Sequence, residues 1–383
     1  MRIGVPKEIR AGETRVALVP ESCKKLVQAG IEVAIEAGAG QAAFFADAAY
    51  QDAGAAIEAD PTVLLGNADF VLKVQAPADH PVAKRHEADL MKVGAMLLAT
   101  LTPTRNLEAV RKLAERKITA FSTDCIPRTT RAQTMDTLSS MASITGYKGA
   151  LIAALELGKY FPMFMTAAGT VFAARVFVVG AGVAGLQAIA TAKRLGANIT
   201  ATDVRPEVKE QIESVGARYV GITLTEDART AGGYAKELSE ESKRKQRELL
   251  AEQCAAADVV ITTALIGGVL APRLITAEMV RAMRPGSVIV DLAAEGGGNC
   301  ELSQPGKTVI EGGVKIAAPL NLPASVPVHA STLYSRNLTN FVLAFWKDKA
   351  FQLDLKDDIL KGAVVTYDGN VLHGPTKDAL ARG

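Results

Sequence analysis

Groups that most often carry acid–base, thiol or metal chemistry are scarce in this chain. Its 383 residues include four histidines, four cysteines and one tryptophan. The cysteines, Cys23, Cys125, Cys254 and Cys300, lie far apart and form no Cys-x-x-Cys pair. That pattern argues against a zinc site and for reduced thiols in a cytosolic protein. No sign of charge predominates: 43 Lys+Arg against 41 Asp+Glu leave +2. Such a balance gives no electrostatic case for nucleic acid or an anionic membrane surface. Long hydrophobic runs are missing too. The most apolar window, "VFVVGAGVAGLQAIATA" from Val176 to Ala192, is bounded by Arg175 and Lys193 and is short for a membrane span. The N-terminus, "MRIGVPKEIR", is charged where a signal peptide is apolar.

Strands and helices alternate along the chain. "RIGVP", "IEVAIEAG" and "DFVLKV" read as strands, and "PESCKKLVQAG" as a helix closed by Gly30. Alternation of this kind implies a parallel sheet covered by helices. "AFSTDCIPRTT" reads as strand then loop. From about Thr134 a helical pattern runs for about 25 residues, with Met135, Leu138, Ala142, Thr145 and Ile152 on one face and Gln133, Asp136 and Ser140 on the other. A second alternating region follows: strands "ARVFVVG", "NITATD", "DVVITTA" and "GSVIVDLA", helix "VAGLQAIATAKRLG", and the charged helix "AKELSEESKRKQRELLAEQCAAA". The tail "HASTLYSRNLTNFVLAFWKD" is again helical. The expected fold is therefore α/β: two Rossmann-like, doubly wound parallel-sheet domains, the second inserted into the first. Residues 140–319 would form the inserted domain, and 1–139 with 320–383 the other.

"VVGAGVAG" contains Gly180, Gly182 and Gly185 in the G-x-G-x-x-G pattern, between a strand and a helix. The first glycine permits a tight turn, the second lets backbone approach a pyrophosphate, and the third lets helix and strand pack closely. The helix N-terminus offers free N–H groups to phosphate. Asp203 closes the next strand, where a carboxylate reaches ribose hydroxyls and repels a 2′-phosphate, so NAD is favoured over NADP. Arg205 nearby counts the other way.

Oxidation of an alcohol or amine needs a general base, most often histidine or lysine. His80 and His86 flank "PVAKR", which reads as an exposed loop; His373 lies in the tail, and His329 follows "NLPASVPV". Each reads more simply as structural. The polar run "PRTTRAQTMDTLSS", Pro127 to Ser140, carries Arg128, Arg131, Gln133, Asp136, Ser139 and Ser140 but no histidine, lysine or cysteine. Hydride transfer directly between two nicotinamides moves no substrate proton; it requires two rings held in contact and water kept out. Arg, Gln, Asp and Ser suit that task. They equally suit a capped helix N-terminus facing solvent, and spacing alone leaves both open.

"RAQTMDTLSS", "FPMFMTAAGT", "GAGVAGLQAIATAKRLGA", "TAGGYAKE" and "GGNC" closely resemble the NAD(H)-binding alpha (alpha-1) component of the proton-translocating, Re/Si-specific NAD(P) transhydrogenases. The resemblance runs from "GVPKEIRAGETRVAL" into the tail. It implies a homodimer carrying NAD(H) that docks onto a separate NADP(H)-binding beta component attached to a proton-conducting membrane domain. It also implies no metal and a peripheral position on the cytoplasmic face of the inner membrane. The chain shows no apolar segment before Gly383, so the split-subunit type is expected. By position, Arg128, Gln133, Asp136 and Ser139 would surround the nicotinamide. Gly180, Ala181, Gly182, Val183, Gly185, Asp203 and Arg205 would hold the pyrophosphate and adenosine end. Thr263, Ala264 and Leu265 would add cofactor contacts. Gly233 and Tyr234 would belong to a mobile loop that closes on the nucleotide. The fold is shared with alanine dehydrogenase, the alternative reading. Arg15 of "GETRVAL" matches a substrate-carboxylate arginine of that enzyme, but its catalytic lysine and histidine correspond here to Gln75 and Thr100.

Overall fold

The computed structural model describes residues 1–221, 239–265 and 270–382. Two compact units share the chain: Met1–Met141 with Pro323–Gly383, and Ala142–Leu322.

In the first unit, six strands run parallel: β1 (Arg2–Val5), β2 (Glu32–Glu36), β3 (Ala56–Glu58), β4 (Phe70–Gln75), β5 (Met96–Thr100) and β6 (Thr119–Ser122). Their spatial order is 3-2-1-4-5-6. Helices cover such a sheet on both faces, which is why β4 reads as an almost unbroken apolar run and is buried along its length. The one charge within it, Lys73, is 1% exposed and paired with Glu87 at 2.8 Å and Glu8 at 3.4 Å. The helix Pro20–Gln28 starts on proline, and Gly30 beyond its end has φ +82°. Both are the residues that those positions favour.

The second unit holds a two-stranded hairpin, β7 (Phe164–Thr166) and β8 (Gly169–Val171), and a seven-stranded sheet. That sheet comprises β9 (Arg175–Val179), β10 (Asn198–Thr202), β11 (Arg218–Tyr219), β12 (Val259–Thr262), β13 (Val288–Asp291), β14 (Thr308–Glu311) and β15 (Val314–Ala317). The order is β11-β10-β9-β12-β13-β15-β14. Sequence order reverses between β9 and β12, and ligands of open α/β sheets bind beyond the strand ends at such a switch point.

Neither sheet is wholly parallel. β14 pairs antiparallel with β15. After a small ribbon, β16 (Trp346–Lys347) and β17 (Ala350–Phe351), the tail returns to the first unit as β18 (Val364–Tyr367) and β19 (Asn370–Val371). β18 pairs antiparallel with β6 and closes that edge of the sheet. The tail is thus part of the first unit's own fold.

Two sequence expectations need correction. The long helix is Thr137–Glu156, preceded by a 3-10 turn at Thr130–Met135 rather than continuous from Thr134. Its most buried residues are Ile144, Gly146, Gly149, Ala150 and Ala153, not the expected Leu138, Ala142, Thr145 and Ile152. The segment is apolar on nearly every side, so periodicity could not select the buried face. Second, His80 and His86 are not in an exposed loop; each is 5% exposed. His80 Nδ1 accepts from the N–H groups of Val82 and Ala83, and His86 Nδ1 from that of Ala88. Both are turn caps. No described helix is long and apolar enough to cross a membrane.

Candidate functional site

The glycine turn lies at the C-terminal end of β9, at the switch point. Gly180 has φ +90°, the region that favours glycine, and a side chain there would press on Thr263 Oγ1 at 2.9 Å. At Gly182 an added Cβ would meet nothing within 4 Å, so it would enter open space above the turn. At Gly185 it would lie 2.0 Å from Gly180 O. Each glycine therefore has a different reason: backbone conformation, ligand approach and helix–strand packing. Val183 begins the helix Val183–Arg194, with Gly182 as N-cap and no side-chain cap bond. The first-turn N–H groups are left for a ligand. Ala181 is buried, and Val183 is 43% exposed at the helix start.

Asp203 follows β10, but its carboxylate is already engaged. It accepts from Ala181 N at 2.8 Å and from Arg205 Nε and a terminal guanidinium nitrogen at 2.9 Å each. Its side chain is 6% exposed. The neighbouring arginine compensates the acid's charge, so repulsion of a 2′-phosphate is weaker than the acid alone implies. The loop after β12 is bound to the glycine turn by Thr263 Oγ1, which donates to Gly180 O at 2.9 Å. Ala264 exchanges hydrogen bonds with the Asn299 side chain at 2.9 and 2.8 Å. Leu265 is 47% exposed beside it. Gly233 and Tyr234 lie outside the described residues.

Sequence reasoning assigned no role to three supporting residues of this unit. Asn299 is fully buried and orients the loop after β12. Asp291 accepts from Thr262 Oγ1, Ala293 N, Cys300 N and Ser303 Oγ. Gly146 lets the long helix touch the start of the next one, since a Cβ there would sit 2.0 Å from Ala184 O. "GGNC" was the only visible signal for Asn299; Asp291 and Gly146 carry none in one sequence.

In the first unit, Arg128, Gln133, Asp136 and Ser139 line one cavity of about 330 Å³. No histidine, lysine or cysteine lines it. Asp136 also caps the long helix: Oδ1 accepts from Ser139 N at 2.8 Å and Oδ2 from Ser139 Oγ at 2.6 Å. The two readings left open by the spacing thus coexist, a capped helix start and a polar cavity wall. Burial pushes the Cys23, Cys125 and Cys254 thiols up to about 12, so none is a thiolate at neutral pH.

The positions that separate this chain from an amino-acid dehydrogenase are occupied by groups that do not act as bases. Gln75 Nε2 donates to Glu13 at 2.7 Å. Thr100 Oγ1 lies 2.9 Å from Thr123 Oγ1 and 3.0 Å from Tyr334 OH. Arg15 grips Glu13 through two nitrogens at 2.8 and 2.6 Å. Burial alone would raise the Glu13 carboxyl, but the Arg15 bonds and charge outweigh it and hold it down at about 2. This lowered carboxyl stabilises the unit fully above the ordinary value of 4.5, and the contribution is lost as pH falls through about 2. Glu13→Gln is expected to cost about 3 kcal/mol at neutral pH. Denaturant titrations of both proteins should converge as pH drops from about 5 toward 2. Parallel curves throughout would contradict the pairing.

Two doubly wound sheets, with a glycine turn at one switch point, define a dinucleotide-binding α/β protein. The family models "Alanine dehydrogenase/PNT, N-terminal domain" and "Alanine dehydrogenase/PNT, C-terminal domain" match residues 4–145 and 149–374. The chain belongs to this family. It is 49% identical over 377 residues to an NAD(P) transhydrogenase alpha subunit of Rhodospirillum rubrum, covering 97% of this chain and 98% of that protein. It matches the crystal structure of transhydrogenase from Sinorhizobium meliloti with TM-score 0.87 and 42% identity, over 97% of this chain and 100% of that one. Alanine dehydrogenase of Bacillus subtilis is more distant, 30% identical over 100% of this chain and 94% of that protein.

Proposed function

We propose that this chain is the NAD(H)-binding subunit of a proton-translocating NAD(P) transhydrogenase. It acts in a complex, where hydride passes directly between NAD(H) on this chain and NADP(H) on a partner subunit. A separate membrane component couples the transfer to proton movement. The end-to-end likeness to a transhydrogenase alpha subunit carries this reading. The cavity wall of Arg128, Gln133, Asp136 and Ser139, without a general base, agrees with it.

The second unit's glycine turn would hold the pyrophosphate, with Asp203, Arg205 and the Thr263–Leu265 loop at the adenosine side. Bound NADH supplies the hydride from its nicotinamide ring. Arg128, Gln133, Asp136 and Ser139 would orient the nicotinamide end by hydrogen bonds and help exclude water, so that little reorganisation is left at the moment of transfer. No proton is taken from a substrate, which fits Gln75 and Thr100 standing where alanine dehydrogenase has its lysine and histidine.

The second unit also offers a surface for homodimerisation. The β7–β8 hairpin and its flanks expose Met163, Phe164, Met165 and Phe172, the last two at 78% each. A contiguous apolar surface of that kind marks an interaction site. A Met165→Asp/Phe172→Asp variant should run as a monomer in analytical ultracentrifugation while retaining its secondary structure. A variant that sediments like the parent would remove the hairpin from the interface. On the proposed reading, the chain resides on the cytoplasmic face of the membrane through its partners.

Calorimetry with NADH and NADPH, followed by an assay with NAD and L-alanine, tests the proposed role of the isolated chain. NADH should bind and NADPH bind far more weakly, with no alanine-dependent NADH formation. Alanine turnover would favour the dehydrogenase instead.

A further inference from the structure

The 3-10 turn Thr130–Met135 divides its residues among three jobs with a period of three. In a 3-10 helix side chains at i and i+3 eclipse, so one turn presents three distinct edges. Ala132 and Met135 are buried in the first unit's core. Thr130, Gln133 and Asp136 line the cavity. On the remaining edge, the Arg131 guanidinium reaches Asp357 at 2.6 Å and Asp358 at 2.5 Å. The Thr134 carbonyl accepts from the side-chain amides of Asn337 at 2.8 Å and Asn340 at 3.1 Å. The turn is thus tied at two successive points, to the start of the helix Asp358–Ala363 and to the helix Pro327–Ala344.

We propose that Arg131 is a positioning residue for hydride transfer: its bridge to Asp357 and Asp358 sets the rotation of this turn and so aims Gln133 and Asp136. The proposal rests on the transhydrogenase reading above. Arg131 lies on a different edge from the cavity-lining residues and acts through them. Asp357 is itself fixed, because Oδ1 accepts from Ile359 N at 2.9 Å as the cap of its helix. Arginine suits the task because its planar fork can meet two carboxylates at once, whereas lysine offers a point charge. A lone exposed ion pair adds little stability. The consequence lies in geometry, where a displacement of about 1 Å is enough to slow a reaction severalfold to a hundredfold.

The test uses the full chain reconstituted with its partner components. Arg131→Ala should lower kcat for hydride transfer about tenfold, with KM for NADH changed less than about threefold. Amide exchange across residues 130–136 should quicken while exchange elsewhere stays as in the parent. Arg131→Lys should recover part of the rate. Asp357→Asn/Asp358→Asn, which keeps a capping side chain at 357, should reproduce the Arg131→Ala result. Unchanged kcat and unchanged exchange would overturn the proposal. So would a joint fall of NADH binding, rate and thermal midpoint, which marks a merely structural role. Should the parent chain itself support no transfer, the transhydrogenase reading fails. Local exchange and its recovery by lysine then decide the positioning role separately.

Discussion

Gly185→Ala is expected to abolish useful NADH binding. A Cβ at this position would sit 2.0 Å from Gly180 O, and the clash is with backbone, so no side chain can swing away. The helix Val183–Arg194 would have to shift from β9, moving the first-turn N–H groups that meet phosphate. The expected loss is about 3 kcal/mol of nucleotide affinity, roughly a hundredfold in Kd, with a lower thermal midpoint as well. Gly182→Ala is the matched control. Its Cβ enters open space, nothing lying within 4 Å. That variant should fold like the parent and weaken only the bound state, because the methyl group stands where the pyrophosphate approaches. Fluorescence titration with NADH beside thermal unfolding separates the two. Equal stability losses in both variants would contradict the division of roles.

Gln133→Asn and Asp136→Asn are expected to slow hydride transfer in the assembled complex by about ten- to a hundredfold, leaving NADH affinity within about threefold. Asparagine at 136 is the informative substitution because it caps helices as well as aspartate does. Asp136→Ala removes the bonds to Ser139 N and Oγ as well, and should add a stability cost of about 1 kcal/mol. A rate loss shared by Asp136→Asn and Asp136→Ala, with a stability loss only in Asp136→Ala, would separate orientation of the nicotinamide from capping. An Asp136→Asn protein with full transfer rate would assign the carboxylate to the cap alone.

The fold's parallel cores were legible because β-branched runs, glycine stops and the spacing of Gly180, Gly182 and Gly185 all pointed one way. Antiparallel edges were not. Nothing in "VVTYDGNV" announces that β18 turns back onto β6, since a strand's partner is a long-range property. The buried face of Thr137–Glu156 was misread because an all-round apolar helix has no informative period. His80 and His86 were misread because a histidine that caps a buried turn and one in an exposed loop share the same polar neighbours in sequence.

Site residues divide in the same way. Asp203 was legible as the acid after the second strand, but its fork from Arg205 was not. Local spacing showed only that the two lie close in the chain. The polar run from Pro127 to Ser140 was recognisable as chemistry without a base. Its separation into core, anchor and cavity edges depends on a 3-10 turn where periodicity implied the start of an α-helix. Asn299 and Asp291 act by holding backbone from within, and burial is invisible until the chain is folded.

Reconstitution tests the central claim most directly. Membranes carrying the NADP(H)-binding and proton-conducting components, stripped of peripheral protein, would be supplied with this chain, and reduction of an NAD analogue by NADPH followed. The expected result is saturable restoration of transfer, weakened by Gln133→Asn and lost in Gly185→Ala. A chain that binds NADH tightly yet restores no transfer would contradict the account.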